Sequence, residues 1–122
     1  MDAFIPRSEA NQVFRVTVSN LEDSMKIKDH YKPKPGHKFL IVYLSQQNIS
    51  GELQVYSGKL SLMDNGNNTH EAIENLSNFW LVVLRPGGMI TGYLVYEIPV
   101  DARPASIVLH DLNMPPLTVN LQ

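Results

Sequence analysis

The side chains that could act as nucleophiles are hydroxyls. Ser57 and Ser61 flank Gly58 and Lys59, and four histidines are scattered along the 122-residue chain. A serine nucleophile needs an activating base beside it, and the sequence has neither a G-x-S-x-G nor an S-x-x-K motif. The absence of cysteine excludes disulfides, thiol nucleophiles and thiolate metal sites. We therefore expect a protein that is not an enzyme.

A second group of side chains offers oxygen ligands for calcium. Its members are Asp64, Asn65, Asn67, Asn68 and Glu71. An EF-hand loop has its glycine at the sixth position, whereas Gly66 stands third in this run. Asn-Gly runs are typical of hairpin turns because these residues tolerate positive φ. The sequence therefore predicts a hairpin turn here rather than a calcium site.

Thioether and imidazole groups could bind copper(I). Met89, His110 and Met114 are the candidates, because such soft and imidazole ligands suit this ion. Their spacing is not the tight H-x-M of small envelope copper chaperones, and methionine is an ordinary residue for filling gaps in a core. We predict no metal and no cofactor.

A cluster of lysines precedes the most apolar segment of the chain. This basic strip consists of Lys26, Lys28, Lys32, Lys34 and Lys38. One interpretation is a surface that binds an anionic envelope component or an acidic protein. The other is a set of lysines that guards an exposed edge strand against aggregation. Nucleic acid is not an expected partner, because a pI near 6.0 lacks the basic footprint of such proteins.

Several aromatic residues could line a groove for sugars or peptides. Phe79, Trp80, Tyr93 and Tyr96 fall in or beside predicted strands. Large aromatic side chains in a small domain more often pack in the core, and we expect Trp80 to be a packing anchor.

The elements that must position these residues are strands. Alternating or continuous apolar residues predict strands at 14–18, 25–27, 39–44, 60–62, 69–73, 80–84, 89–98, 106–110 and 117–121. Segment 39–44 is apolar at every position, as in a central strand covered on both faces. Residues 74–79 are long enough for a short helical turn. The pattern predicts an all-β, immunoglobulin-like sandwich of two antiparallel sheets with about seven to nine strands.

Length and hydropathy predict one domain over residues 1–122. The longest apolar runs, 39–44 and 79–84, fall far below the roughly 18 residues of a membrane span. The first seven residues lack the basic and apolar regions of a signal peptide. We expect no transmembrane segment.

Two segments resemble signatures of an uncharacterised family of bacterial and archaeal immunoglobulin-like domains. The first is Pro35-Gly36 followed by the aliphatic strand 39–44 and Asn48. The second is Pro86-Gly87, then Thr91-Gly92, and an aromatic-to-proline ending at 96–99 before Asp101-Ala102. A strand–aspartate–glycine hairpin at 60–66 lies between them, so the resemblance covers roughly residues 12–111.

The resemblance implies a fold and a cellular location. The family is grouped with telokin-like and mycobacterial immunoprotective-antigen sandwiches, and its members are mostly lipoproteins or secreted proteins of unknown function. No catalytic residues follow from it, and this chain lacks the lipid-bearing cysteine. We expect a non-catalytic binding or interaction module of a cell-envelope or secreted protein. The alternative is a small-ligand or metal carrier of the envelope, binding copper or calcium.

Overall fold

The strands of this protein pair into two facing sheets. A computed structural model describes residues 4–27, 31–55, 59–79, 83–111 and 114–122. Within them lie ten strands and one 3₁₀ turn, Glu74–Leu76. In chain order the strands are β1 Arg7–Ala10, β2 Phe14–Ser24, β3 His37–Asn48, β4 Gln54–Val55, β5 Lys59–Asp64, β6 Thr69–His70, β7 Val83–Leu84, β8 Met89–Pro99, β9 Pro104–Asp111 and β10 Met114–Asn120.

The architecture is an all-β sandwich, which confirms the predicted fold class. The first sheet has the order β1-β2-β3-β8, the second has the order β10-β9-β5-β6, and β4 pairs with β7 in a separate two-stranded ribbon. All of these pairings are antiparallel. The main core lies between the two sheets and includes Val16, Leu62, Tyr96 and Ile107.

Strand β3 has the central position that its apolar sequence predicts. It pairs with β2 on one side and with β8 on the other, from its first residues to its last. Leu40, Val42 and Leu44 face the main core, whereas Phe39 packs on the opposite face with Val95 and Leu76. Both faces are therefore covered. The preceding turn uses Gly36, whose φ of +80° strongly favours glycine.

The prediction of a strand at 25–27 is wrong. Strand β2 instead continues to Ser24, because pairing with β3 extends it beyond its own apolar alternation. Met25 is 61% exposed in the connection that follows, and Ile27 forms only an isolated bridge with Tyr31. Strand β1 was not predicted because all four of its residues are exposed and carry no apolar pattern.

The Asn-rich segment forms the predicted hairpin turn, between β5 and β6. The residue with positive φ is Asn67, at 64°, rather than the neighbouring glycine. The returning strand is shorter than predicted, since β6 ends at His70. The short helical turn is present at Glu74–Leu76. No helix in the described part of the chain has the length and apolar character needed to cross a bilayer.

One buried side chain on β3 has no hydrogen-bond partner. Gln46 is fully buried on the core face, between Val16 of β2 and Ile90 of β8. Neither its Oε1 nor its Nε2 makes a hydrogen bond. An unsatisfied buried polar group costs about 1–3 kcal/mol. The sandwich therefore tolerates a destabilising amide at its centre.

Replacing this amide with an apolar side chain of similar shape should stabilise the protein. We expect Gln46→Met to raise the free energy of unfolding by about 1–3 kcal/mol, because it removes the unsatisfied group without opening a cavity. Urea unfolding measures this as a higher midpoint at unchanged slope. The matched control is Gln47→Met on the opposite face, where the Gln47 Nε2 donates to the Gly87 carbonyl at 3.4 Å. An unchanged or lower midpoint for Gln46→Met would contradict the assignment.

Candidate functional site

The basic strip is spread over one strand and one loop. Lys26, Lys32 and Lys34 are exposed in the connection between β2 and β3, and Lys38 lies on β3 itself. Lys28 lies outside the described residues. Because β3 is central in its sheet, the interpretation that Lys38 guards an exposed edge is wrong.

Two lysines of the basic strip are paired with carboxylates. Lys38 Nζ lies 3.2 Å from Asp23 Oδ2, and the Lys38 side chain is only 16% exposed. Lys34 Nζ lies 3.9 Å from Glu97 Oε2, in a more open pair. These contacts reduce the positive charge that the strip presents. Lys32 and Lys34 are its exposed members nearest the start of β3.

The turn between β5 and β6 holds its carboxylate inward. Asp64 is 3% exposed, and its Oδ1 accepts hydrogen bonds from the backbone N–H groups of Gly66 at 2.8 Å and Asn68 at 3.0 Å. Its Oδ2 lies 2.8 Å from His70 Nε2. Both oxygens thus serve the turn itself, and Asn65 Oδ1 accepts from the Arg103 N–H at 3.2 Å. The structure does not bring the proposed calcium ligands together around a common point.

These contacts stabilise the ionised form of Asp64. The hydrogen bond from His70 is the largest cause, and the N–H groups of Asn68 and Gly66 add to it against the opposing effect of burial. Together they lower the pKa of Asp64 from 3.8 to about 2. The turn is therefore an electrostatic lock on the β5–β6 hairpin.

The copper candidates lie on different sheets. Met89 is on β8 of the first sheet and is 58% exposed, whereas His110 and Met114 are on β9 and β10 of the second sheet. Among the described residues, no group of three or more His, Cys, Asp or Glu side chains could hold a metal ion.

The aromatic residues divide between the core and one outer face. Phe79 and Tyr96 are buried in the main core, where the Tyr96 hydroxyl donates to the Leu60 carbonyl at 2.9 Å. Tyr93 lies on the outer face beside Tyr43, with ring centroids 6.1 Å apart. A hydrogen bond to Glu22 raises the pKa of Tyr43 to about 12. Trp80 lies outside the described residues. Phe79 and Tyr96 therefore line no open groove.

A shallow cavity of about 230 Å³ lies on the outer face of the second sheet. Its lining comprises Lys59, Ser61, Met63, Thr69, Glu71, Val108 and His110. Alternation along β5 produces this site, because Leu60 and Leu62 point into the core while Lys59, Ser61 and Met63 point outward. Ligand pockets are typically about 300–1,000 Å³, so this cavity is small.

An ion pair orders the polar side of this cavity. Lys59 Nζ lies 3.2 Å from Glu71 Oε2, and the buried Ser61 hydroxyl donates to Glu71 Oε1 at 3.2 Å. Sheet pairing thus unites Ser61, Glu71 and His110, which the sequence analysis placed in three separate hypotheses. The serine is bonded to a carboxylate and is 2% exposed. Ser57 lies outside the described residues.

Exposed aliphatic side chains gather at one end of the sandwich. This apolar end consists of Ile49, Leu53, Val55, Val83 and Met89, with exposed fractions from 38% to 61%. Val55 and Val83 are cross-strand partners in the ribbon of β4 and β7. Met89 is paired with Gln47, beside the last residue of β3. The sequence analysis missed this feature, because these residues occur singly among polar and turn residues.

Asn48 builds the apolar end. Its side-chain Nδ2 donates to the carbonyls of Glu52 at 2.7 Å and Leu84 at 2.9 Å, so it joins the two segments that carry the exposed residues. Its Oδ1 accepts from the Ser50 N–H at 2.9 Å. Its backbone N–H donates to the Gly88 carbonyl at 2.9 Å. The fully buried amide therefore fixes both loops relative to β3.

Removing the carboxylate of Asp64 should weaken acid sensitivity. Because the folded pKa of Asp64 lies below its ordinary value, its ionised form stabilises the fold above pH 4, and this stabilisation is lost between about pH 4 and 2. We expect Asp64→Asn to lose about 1–3 kcal/mol at pH 7 and to show a shallower decline over that interval. Urea midpoints at several pH values measure both effects. Asp101→Asn, at an exposed carboxylate, should parallel the wild type; an equally steep decline in Asp64→Asn would contradict the lock.

Comparison with known proteins identifies the family. Residues 8–115 match the family described as a domain of unknown function, DUF4352. A crystal structure of a conserved hypothetical protein from Bacillus anthracis is similar, with a TM-score of 0.67, 16% identity and coverage of 99% of each chain. At this identity the similarity shows the fold alone. No curated protein matches the chain. Because the matched region spans nearly the whole sandwich, the chain belongs to the DUF4352 family of domains of unknown function.

Proposed function

We propose that the chain is a non-catalytic, immunoglobulin-like binding module of a microbial cell-envelope or secreted protein, and that it binds a protein through the apolar end. The clustering of exposed Ile49, Leu53, Val55, Val83 and Met89 supports this proposal. Contiguous exposed apolar surface commonly marks a binding site. The resemblance to telokin-like sandwiches of lipoproteins and secreted proteins supports the location.

The architecture of the apolar end suits recognition without catalysis. Its aliphatic side chains offer area to bury, while Asn48 holds their backbone segments rigid, which lowers the entropy lost on binding. The edges of the first sheet are less available. β1 lies next to β10, and residues 73–78 bond along β8. Binding by the loops of the apolar end therefore needs no rearrangement of the sheets.

A second contact is proposed at the opposite end of β3. Twelve residues of strand span roughly 37 Å, so the basic strip and the apolar end are far apart. Exposed Lys32 and Lys34 support binding of an anionic envelope component there. One module could then contact an anionic surface and a protein at the same time.

Site-specific photocrosslinking tests the apolar end. We expect a photoreactive residue at Leu53 to capture one partner from an envelope fraction of the source organism, competed by excess wild type but not by the Leu53→Asp/Val83→Asp variant. The matched control is the same residue at Val100, which is 51% exposed just beyond the other end of β8. Equal capture at both positions, or equal competition by the variant, would contradict the site. Capture from the cytosolic fraction alone would contradict the location.

Vesicle sedimentation tests the basic strip. We expect salt-sensitive binding to vesicles containing an anionic phospholipid and loss of most of that binding in Lys32→Ala/Lys34→Ala, since each lysine near the surface contributes about 1 kcal/mol. Lys59→Ala is the matched control, because that exposed lysine lies on the second sheet outside the strip. Binding that the double variant leaves unchanged would refute the role of the strip.

A further inference from the structure

The outer edge of β8 is covered by a segment that is not a strand. This strap comprises residues 73–78 and includes the 3₁₀ turn. The Ile73 N–H donates to the Val95 carbonyl at 2.8 Å, and the Asn78 N–H donates to the Tyr93 carbonyl at 3.0 Å. The strap thus satisfies the carbonyls that a neighbouring strand would otherwise bind.

Two side chains of the strap satisfy the matching N–H groups. Ser77 Oγ accepts from the Val95 N–H at 2.9 Å, and Asn78 Oδ1 accepts from the Tyr93 N–H at 2.6 Å. Ser77 Oγ also donates to the Ile73 carbonyl at 2.7 Å, which closes the strap on itself. Side-chain groups therefore stand in for a strand backbone at two successive positions of the β8 edge.

The strap fits against β8 because Gly92 has no side chain. A Cβ at this position would lie 2.5 Å from Asn78 Oδ1 and 3.1 Å from the Asn78 carbonyl oxygen. Leu76 is the buried anchor of the strap and packs with Phe39 and Val95. The cover therefore depends on a few separable contacts: one anchor, two side-chain acceptors and one close approach.

We propose that the outer edge of β8 is a strand-pairing surface which the strap keeps closed, and that it accepts β8 of a second copy of this chain when the strap leaves. Strand β8 is 11 residues long and carries a single charge, on Glu97. A two-fold antiparallel pairing centred on Tyr93 places Thr91 opposite Val95 and Met89 opposite Glu97. No like charges face each other, so the edge is self-complementary.

The physical basis is competition for the same backbone groups. The N–H and C=O groups of Tyr93 and Val95 are bound either by the strap or by a second β8. An uncovered edge strand of this length and composition is a template for pairing. The strap is therefore a built-in competitor that keeps the chain monomeric. This inference is independent of the proposed function, because its variants leave Leu53, Val55 and Val83 unchanged.

Two variants open the edge by different routes. Ser77→Ala/Asn78→Ala removes both side-chain acceptors, and Gly92→Ala pushes Asn78 away while leaving the β3–β8 pairing intact. We expect both to shift from monomer to dimer with rising concentration in sedimentation velocity, whereas the wild type stays monomeric. The matched control is Asn75→Ala, at an exposed strap position outside these contacts, which should also stay monomeric. If the double variant does not fold, Ser77→Ala alone replaces it.

Hydrogen exchange identifies the surface that pairs. In the opened variants, the Tyr93 and Val95 amides should exchange faster than in the wild type at low concentration and regain protection as the dimer forms. Monomers at every concentration would overturn the proposal. Dimers that leave these two amides unprotected would also overturn it, because they would show association elsewhere.

Discussion

The pairing of β3 on both sides is the constraint on which the rest of the molecule depends. Twelve residues of one strand bond to β2 and β8 and are covered on both faces. Such a strand leaves its side chains no route to water, so each polar group must find a partner in the protein. Asn48 finds several and organises two loops, whereas Gln46, two residues earlier, finds none. The same geometry creates a rigid element and a weak point.

This strand also separates the surfaces of the protein. Basic residues gather where β3 begins, and exposed aliphatic residues gather where it ends. The connections at each end can therefore change without disturbing the pairing between them, since loops tolerate variation that a paired central strand does not. A scaffold with this arrangement suits a family that shares a fold while its members differ in what they bind.

The sequence predicts those parts of the fold whose signal is local. Continuous apolar residues at 39–44, alternation along 89–98 and the Asn-Gly run at 64–68 lead to β3, β8 and the β5–β6 turn. Strand β1 escapes prediction because all its residues are exposed, so pairing with β2 alone determines its conformation. The apolar end and the cavity depend on register between distant segments. Ser61 and Glu71 meet only because β5 and β6 fold back on each other. Lys38 shows the opposite error, since a lysine typical of an edge occupies a central strand.

The β5–β6 turn also affects the chemical ageing of the protein. An asparagine before a glycine deamidates when the glycine nitrogen attacks the side-chain carbonyl to form a cyclic imide, and Asn65-Gly66 is such a pair. In the folded turn the Gly66 N–H is held by Asp64 Oδ1 at 2.8 Å, and the Asn65 side-chain oxygen is held by the Arg103 N–H. Both reacting groups are thus engaged elsewhere, and the imide forms slowly until the turn opens. The rate at which Asn65 becomes aspartate or isoaspartate in storage is accordingly a clock for local opening of this hairpin.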